Sequence, residues 1–178
     1  MADLDLIPVD GSNWADLERL FESRGGPHSC WCMVWRNMAS GLDRSKKTDK
    51  KSSLKQEVDN HIPIGLICYE NEEPIAWCSV GPRHSFRNLG GDNELDDVWS
   101  LTCMFIKRAY RTRGISEHLI QGAIAYSKKN KAAYLEAYPV DSDSPSYRFM
   151  GFLPVFEKLG FEFTHRVGKR RNVVKLKL

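Results

Sequence analysis

The 178-residue chain is 42% hydrophobic and 28% charged, with a formal net charge of +3. That balance excludes an intrinsically disordered chain and makes no electrostatic case for nucleic acid. No apolar run reaches the ~18–20 residues of a membrane span, and Met1-Ala2-Asp3-Leu4-Asp5 lacks the basic and apolar segments of a secretory signal, so a soluble cytoplasmic protein is expected.

Leu4 to Val9 alternates like an edge strand. Asn13 is a plausible N-cap for a helix over Trp14–Glu22, with Trp14, Leu17, Leu20 and Phe21 on one face, and Gly25-Gly26-Pro27 stops it. Cys30 to Arg36 is dense in bulky residues without a clean period. Asp43 to Lys55 is basic and reads as a solvated helix or loop. Gly65–Tyr69 and Ile75–Val80 flank the turn residues Asn71-Glu72-Glu73-Pro74 as a hairpin, and residues 81–97 read as a long surface loop. Val98 to Ile106 is nearly continuously apolar, as a central strand covered on both faces should be. A helix follows from Ile115, striped by Leu119, Ile120, Ala123 and Ile124. Tyr134–Tyr138 is a short strand, Leu153–Leu159 a short helix closed by Gly160, and Phe161–Val167 with Val173–Leu178 a final hairpin. No repeat or linker interrupts the chain. The order predicts a mixed α/β layer protein, with one domain over residues 1–178.

The five cysteines are an odd number, and three lie in apolar runs, which reads as reduced thiols packed as small hydrophobes. Cys30 and Cys32 form the only close pair. Zinc needs a second pair, so no metal is expected.

The most informative stretch is Arg111-Thr112-Arg113-Gly114-Ile115-Ser116, between the central strand and its helix. A strand that turns through small residues into a helix leaves the first helical N–H groups unpaired, and those donors with the positive helix end favour phosphate. Neither a P-loop nor a dinucleotide fingerprint is present.

Arg111-x-x-Gly114-x-Ser116 resembles the R/Q-x-x-G-x-G/A signature of the GNAT acyltransferase superfamily, with serine at the second small position. Leu135-Glu136-Ala137 is similar to that family's following strand, and Phe156-Glu157-Lys158-Leu159-Gly160-Phe161 to its Y-E-K-x-G-F segment, the similarity covering residues 65–178. The resemblance implies a twisted, mixed but mostly antiparallel sheet of about seven strands flanked by helices. It implies acetyl-CoA or another acyl-CoA as co-substrate. The loop Arg111, Thr112, Arg113, Gly114, Ile115 and Ser116 would take the pyrophosphate, and Met104, Phe105 and Ile106 would pair with the pantetheine. A backbone N–H near Ile106 would polarise the thioester, and Phe156 would border the cofactor.

By the same resemblance the acceptor is an amine of a small molecule or peptide, attacked directly and not through an acyl-cysteine. Glu136 is the favoured base, with His84 and Asp97 as alternatives. Phe156 stands where the family often has a proton-donating tyrosine, and Tyr138 and Tyr147 are the candidate substitutes. Trp31, Trp35 and Arg36 are candidate acceptor contacts, with core packing the alternative for both tryptophans; Trp77 and Trp99 are expected in the core. Ser100 and Thr102 occupy the strand where some relatives carry a catalytic glutamate. A CoA-binding regulatory module without transfer activity is the alternative reading. Lys46–Lys55 and Lys169-Arg170-Arg171 are the only nucleic-acid signals, and such a partner is not expected; a homodimer is left open.

Overall fold

The computed structural model describes residues 4–178. Seven strands form one sheet in the order β1-β2-β3-β4-β5-β7-β6. They are β1 (Leu4–Pro8), β2 (Gly65–Glu70), β3 (Glu73–Pro82), β4 (Val98–Ile106), β5 (Tyr134–Ala137), β6 (Glu162–Val167) and β7 (Arg171–Lys177). Every neighbouring pair is antiparallel except β4 and β5. The four helices are α1 (Trp14–Glu22), α2 (Lys47–Asp59), α3 (Ile115–Lys129) and α4 (Leu153–Lys158).

The helices cover both faces of the sheet. On one side α3 and α4 bury Leu119, Ile120 and Phe156 against Leu66, Cys78 and Met104. On the other, Leu17, Leu20 and Phe21 of α1 and Leu54 of α2 pack on Ile67 and Trp77, with Trp31 wedged between them. Side chains therefore alternate along the end of β4, with Met104 and Ile106 toward α3 and α4 and Cys103 and Phe105 toward α1. Burial of these two layers supplies the main driving force, at roughly 25 cal/mol per Å² of apolar surface.

The basic stretch before β2 is a helix, and its lysines are partly engaged by α1: Lys47 pairs with Glu22 at 2.8 Å and Lys51 with Glu18 at 2.5 Å. The stretch expected as a long surface loop is anchored instead. Its Phe86 and Leu89 are buried with Tyr138, Met150 and Val173 in a third, smaller cluster. Aromatic and leucine side chains within a Gly- and Asp-rich segment override its turn composition.

The feature that positions the site is a split in the sheet. The parallel register of β4 with β5 runs only from Val98↔Tyr134 to Leu101↔Ala137. Thr102 is an extra residue on β4, because Val80 faces Leu101 while Ser79 faces Cys103. Such a bulge bends and twists the strand that carries it. On the other arm Pro139 has no N–H to donate, and Val140 N–H turns to Gly151 C=O at 2.9 Å. Residues 102–106 of β4 are thus left without a neighbour on the β5 side.

Candidate functional site

The open edge of β4 has free donors. Lys107 N–H donates to Ile75 C=O at 2.9 Å, which fixes the alternation and turns the N–H groups of Phe105 and Cys103 toward β3. Those of Met104 and Ile106 therefore face the gap. Ile106 C=O, on the same side, accepts from Arg111 Nε at 3.1 Å. Arg111 is thereby tied to the strand end that precedes its own loop.

From Arg108 to Tyr110 the chain makes one tight turn, then Thr112 and Gly114 take left-handed φ values of +64° and +75°. Gly114 precedes the first turn of α3, and a Cβ built there meets no atom within 4 Å. Among the described residues, the N–H groups of Thr112 through Glu117 donate to no protein acceptor. Six convergent donors at the positive end of a fifteen-residue helix make an anion cradle. Ile115 is buried and pins the loop to the core. Arg113 turns away, pairing with Glu70 at 2.5 Å and lying 5.3 Å over the Tyr110 ring. Arg24 joins Arg108 and Arg111 around a neighbouring cavity of about 450 Å³.

The gap itself is a cavity of about 520 Å³ walled by Met104, Phe105, Ile106, Arg111 and Ser116 on one side and Arg148, Phe149, Gly151, Phe152 and Val155 on the other. Gly151 has φ +84°, and a Cβ there would come within 2.7 Å of Met104 Cε and of Phe156 Cε2. Glycine at this position keeps the two walls apart. Phe156 lies fully buried behind that wall, edge-on to Phe161 at 5.2 Å, and does not line the cavity. Extended backbone donors, an anion cradle and flanking arginines fit an extended ligand with amides at one end and phosphates at the other, as acyl-CoA has.

Past Phe149 and Met104 the gap adjoins a small apolar pocket of about 170 Å³ bordered by Cys30, Cys32, Trp35 and Cys103. The Sγ atoms of Cys32 and Cys103 are 3.3 Å apart. Contact with Cys32 and burial push the Cys30 thiol up, and contact with Cys103 and burial do the same for Cys32. No cluster of three or more His, Cys, Asp or Glu side chains suited to a metal occurs among the described residues.

The remaining expected site residues fall in two groups. Trp35 and Tyr147 meet at the mouth, ring centroids 6.0 Å apart. The others lie elsewhere. Trp31 is fully buried, 5.8 Å from Trp14 and 5.1 Å from Phe21, which is core packing. Arg36 is also fully buried and donates to Ser79 Oγ, Glu57 Oε2 and Ile64 C=O at 3.1, 2.6 and 2.6 Å, so it bolts two layers together instead of facing a ligand. Glu136 has no exposed surface. It accepts from Asp92 N–H and the Tyr138 hydroxyl, each at 3.0 Å, and lies 3.4 Å from Arg83. Tyr138 is held between Ser100 and Glu136, where burial and then the carboxylate charge push its hydroxyl up. His84 and Asp97 border a separate cavity near Val98, at the opposite end of β4 from the gap. Sequence reasoning missed Arg148, Phe149 and Gly151; two aromatics close to a glycine in a segment without periodicity were the available signal.

The sequence profile of the acetyltransferase (GNAT) family matches residues 17–161. No curated protein matches the chain. Among solved structures, an N-acetyltransferase from Staphylococcus aureus is 12% identical with 99% of each chain covered and a TM-score of 0.60. The PaiA N-acetyltransferase of Thermoplasma acidophilum, in complex with coenzyme A, is 12% identical over 99% of each chain at 0.58. A ribosomal-protein-alanine N-acetyltransferase from Brucella melitensis is 12% identical at 0.58, covering 98% of this chain and 99% of its own. Such low identities carry the fold alone.

Proposed function

The chain belongs to the acetyltransferase (GNAT) family, and on that premise we propose that it moves an acetyl group from acetyl-CoA to a primary amine by direct attack. The observation that carries this reading is the split between β4 and β5 beside a loop whose N–H groups from Thr112 to Glu117 have no protein acceptor.

Acyl-CoA brings an activated thioester; the chain binds and orients it. The loop N–H groups and Arg111 hold the pyrophosphate, with Gly114 letting the backbone come close. The N–H groups of Met104 and Ile106 pair with the pantetheine amides, and the donor nearest the thioester oxygen stabilises charge developing there. The amine enters from the side of Trp35 and Phe149, which border both the small pocket and the mouth. Among the described residues no carboxylate or imidazole lines the gap or the small pocket, so the amine loses its proton to solvent. A thiol with pKa near ~8.5 is a fair leaving group without a dedicated acid. Glu136, with three donors around it, is a positioning group for Tyr138 and the loop that carries Asp92.

Calorimetric titration with acetyl-CoA, followed by thiol release over a panel of amines, tests the reading. Binding with amine-dependent release is expected. Release without an acetylated product, or no binding, overturns it. Binding with no release over the whole panel would favour a CoA-binding regulatory module, which Phe156 and the absence of an acid–base pair in the gap also favour.

A further inference from the structure

The turn between β6 and β7 brings Lys169, Arg170 and Arg171 to one side of a cavity of about 610 Å³ whose other wall is Trp35, Tyr147 and Phe149. None of the residues lining it is acidic, and none of the three cations pairs with a carboxylate among the described residues. Arg170 donates to Ser146 Oγ. The Arg171 guanidinium lies 4.6 Å from the centre of the Trp35 ring. Its Nη1 and the Nε1 of Trp35 are both buried and donate to nothing.

Buried donors without acceptors are costly, and a cationic one is satisfied best by an anion. The wall beside them is a run of aromatic faces: Trp35 and Tyr147 are 6.0 Å apart, Tyr147 and Phe149 6.1 Å. Tyr147 and Phe149 are among the few large apolar side chains left exposed. Such faces take the flat or apolar body of a small ligand. Phe149 also borders the β4 gap and the small pocket, so a ligand seated here reaches the thioester end of the cofactor site.

We propose that the acceptor amine carries an anionic group, carboxylate or phosphonate-like, on an apolar body, with the anion on Arg171 and the body against Trp35, Tyr147 and Phe149. This rests on the acetyl-transfer reading and names its substrate class. It also gives Lys169-Arg170-Arg171 a use other than nucleic acid: the cations close a concave pocket with an aromatic wall.

The test compares para-aminomethylbenzoate, para-aminomethylphenylphosphonate and para-aminomethylbenzamide, which share one amine. Each is titrated calorimetrically into the protein saturated with CoA, and each is assayed for turnover with acetyl-CoA. An anionic amine is expected to bind about 10-fold or more tightly than the neutral amide, an advantage that shrinks with salt. The better of the two anions identifies the group preferred. Arg171→Gln should bring the anionic-to-neutral ratio of affinity, and of kcat/KM, toward one. Lys169→Gln, at the exposed tip of the turn, should lower the same ratio by a smaller factor and serves if the first variant does not fold. Equal binding of the amide, binding of none of the three, or a ratio unmoved in both variants overturns the proposal. So does tighter binding of a thymidine oligonucleotide that Arg171→Gln or Lys169→Gln weakens. Acetyl-CoA titrated separately into the CoA-free protein distinguishes the two levels: its failure to bind overturns the transfer reading, whereas its binding without anionic preference overturns this inference alone.

Discussion

Leu101 of β4 faces Ala137 of β5 in the last parallel pair of the sheet, and beyond that pair the two strands separate. The separation follows from local chemistry on each arm, an unpaired residue at Thr102 and a proline at 139. It leaves backbone donors of β4 exposed in the middle of a sheet, where an unpaired edge is otherwise costly. The gap then adjoins the start of α3, so strand-edge donors and helix-end donors share one cavity wall.

Gly114 separates charge from conformation in the loop. Its φ of +75° costs a side-chain-bearing residue about 1–2 kcal/mol, less for Asn or Asp. Because no atom lies within 4 Å of a Cβ there, no clash is added. Gly114→Asn should therefore lower Tm by a few degrees and weaken acetyl-CoA binding only through the bulk it sets where the backbone meets the phosphates, while Gly114→Asp should bind about 10-fold or more weakly than Gly114→Asn by placing a carboxylate among phosphates. Calorimetric titration of both variants reads the difference; equal affinities would move the pyrophosphate elsewhere.

Glu136→Gln should act on stability. The carboxylate accepts from Asp92 N–H and the Tyr138 hydroxyl, and an amide offers one oxygen and turns an NH₂ toward a donor. A loss of about 1–3 kcal/mol is expected in urea unfolding. The pH dependence of kcat/KM should keep its shape. Turnover that is lost at neutral pH and recovers on alkalinisation would return Glu136 to the role of base.

How far these roles were legible differs by residue. The geometry of the loop from Arg111 to Ser116 was readable because a strand, a glycine and a helix stripe announce backbone conformation, and the role proposed for the loop is one that backbone would carry. The succession of strands and helices along the chain was readable in the same way. Glu136, Arg36 and Trp31 were not, since their types fit both a ligand site and a packed interior, and only the direction of each side chain decides. Arg36 and Trp35 are neighbours in sequence, yet one is sealed in the core and the other borders the mouth. Arg171 lies far from Trp35 along the chain, and nothing in the sequence announces that β7 brings the two together.

Arg36→Met should unfold the protein more readily by about 3–5 kcal/mol, because it strands the Glu57 carboxylate and leaves the Ile64 carbonyl with the Val80 N–H alone, at 3.3 Å. Adding Glu57→Gln should recover part of that loss. Both are read from urea midpoints. A variant of unchanged stability with a raised KM would make Arg36 an acceptor contact after all.

Incubation with acetyl-CoA alone should leave the intact mass unchanged. Burial drives the Cys68 and Cys78 thiols up to about 11 and about 12, and Cys30 and Cys32 are pushed up as well. At these four sulfurs little thiolate exists near neutral pH to accept an acyl group. An added acetyl mass that maps to Cys32 or Cys103, the pair bordering the small pocket, would replace direct attack with a two-step route.

The pH–rate profile should belong to the acceptor. No carboxylate or imidazole stands on the walls of the gap among the described residues, and on the proposed direct attack the reactive species is then the free amine. For an alkyl amine of pKa ~10.4, log kcat/KM should then rise with unit slope from pH 6 toward that value, about tenfold per unit. An acceptor of lower pKa should reach its plateau correspondingly earlier, with the break following the amine. Tyr138 will not introduce a break of its own, since burial and Glu136 hold its hydroxyl protonated throughout this range. A break that stays at one pH as the amine is varied would reveal a protein base, and Tyr147, exposed at the mouth beside Trp35, would be the first side chain to replace.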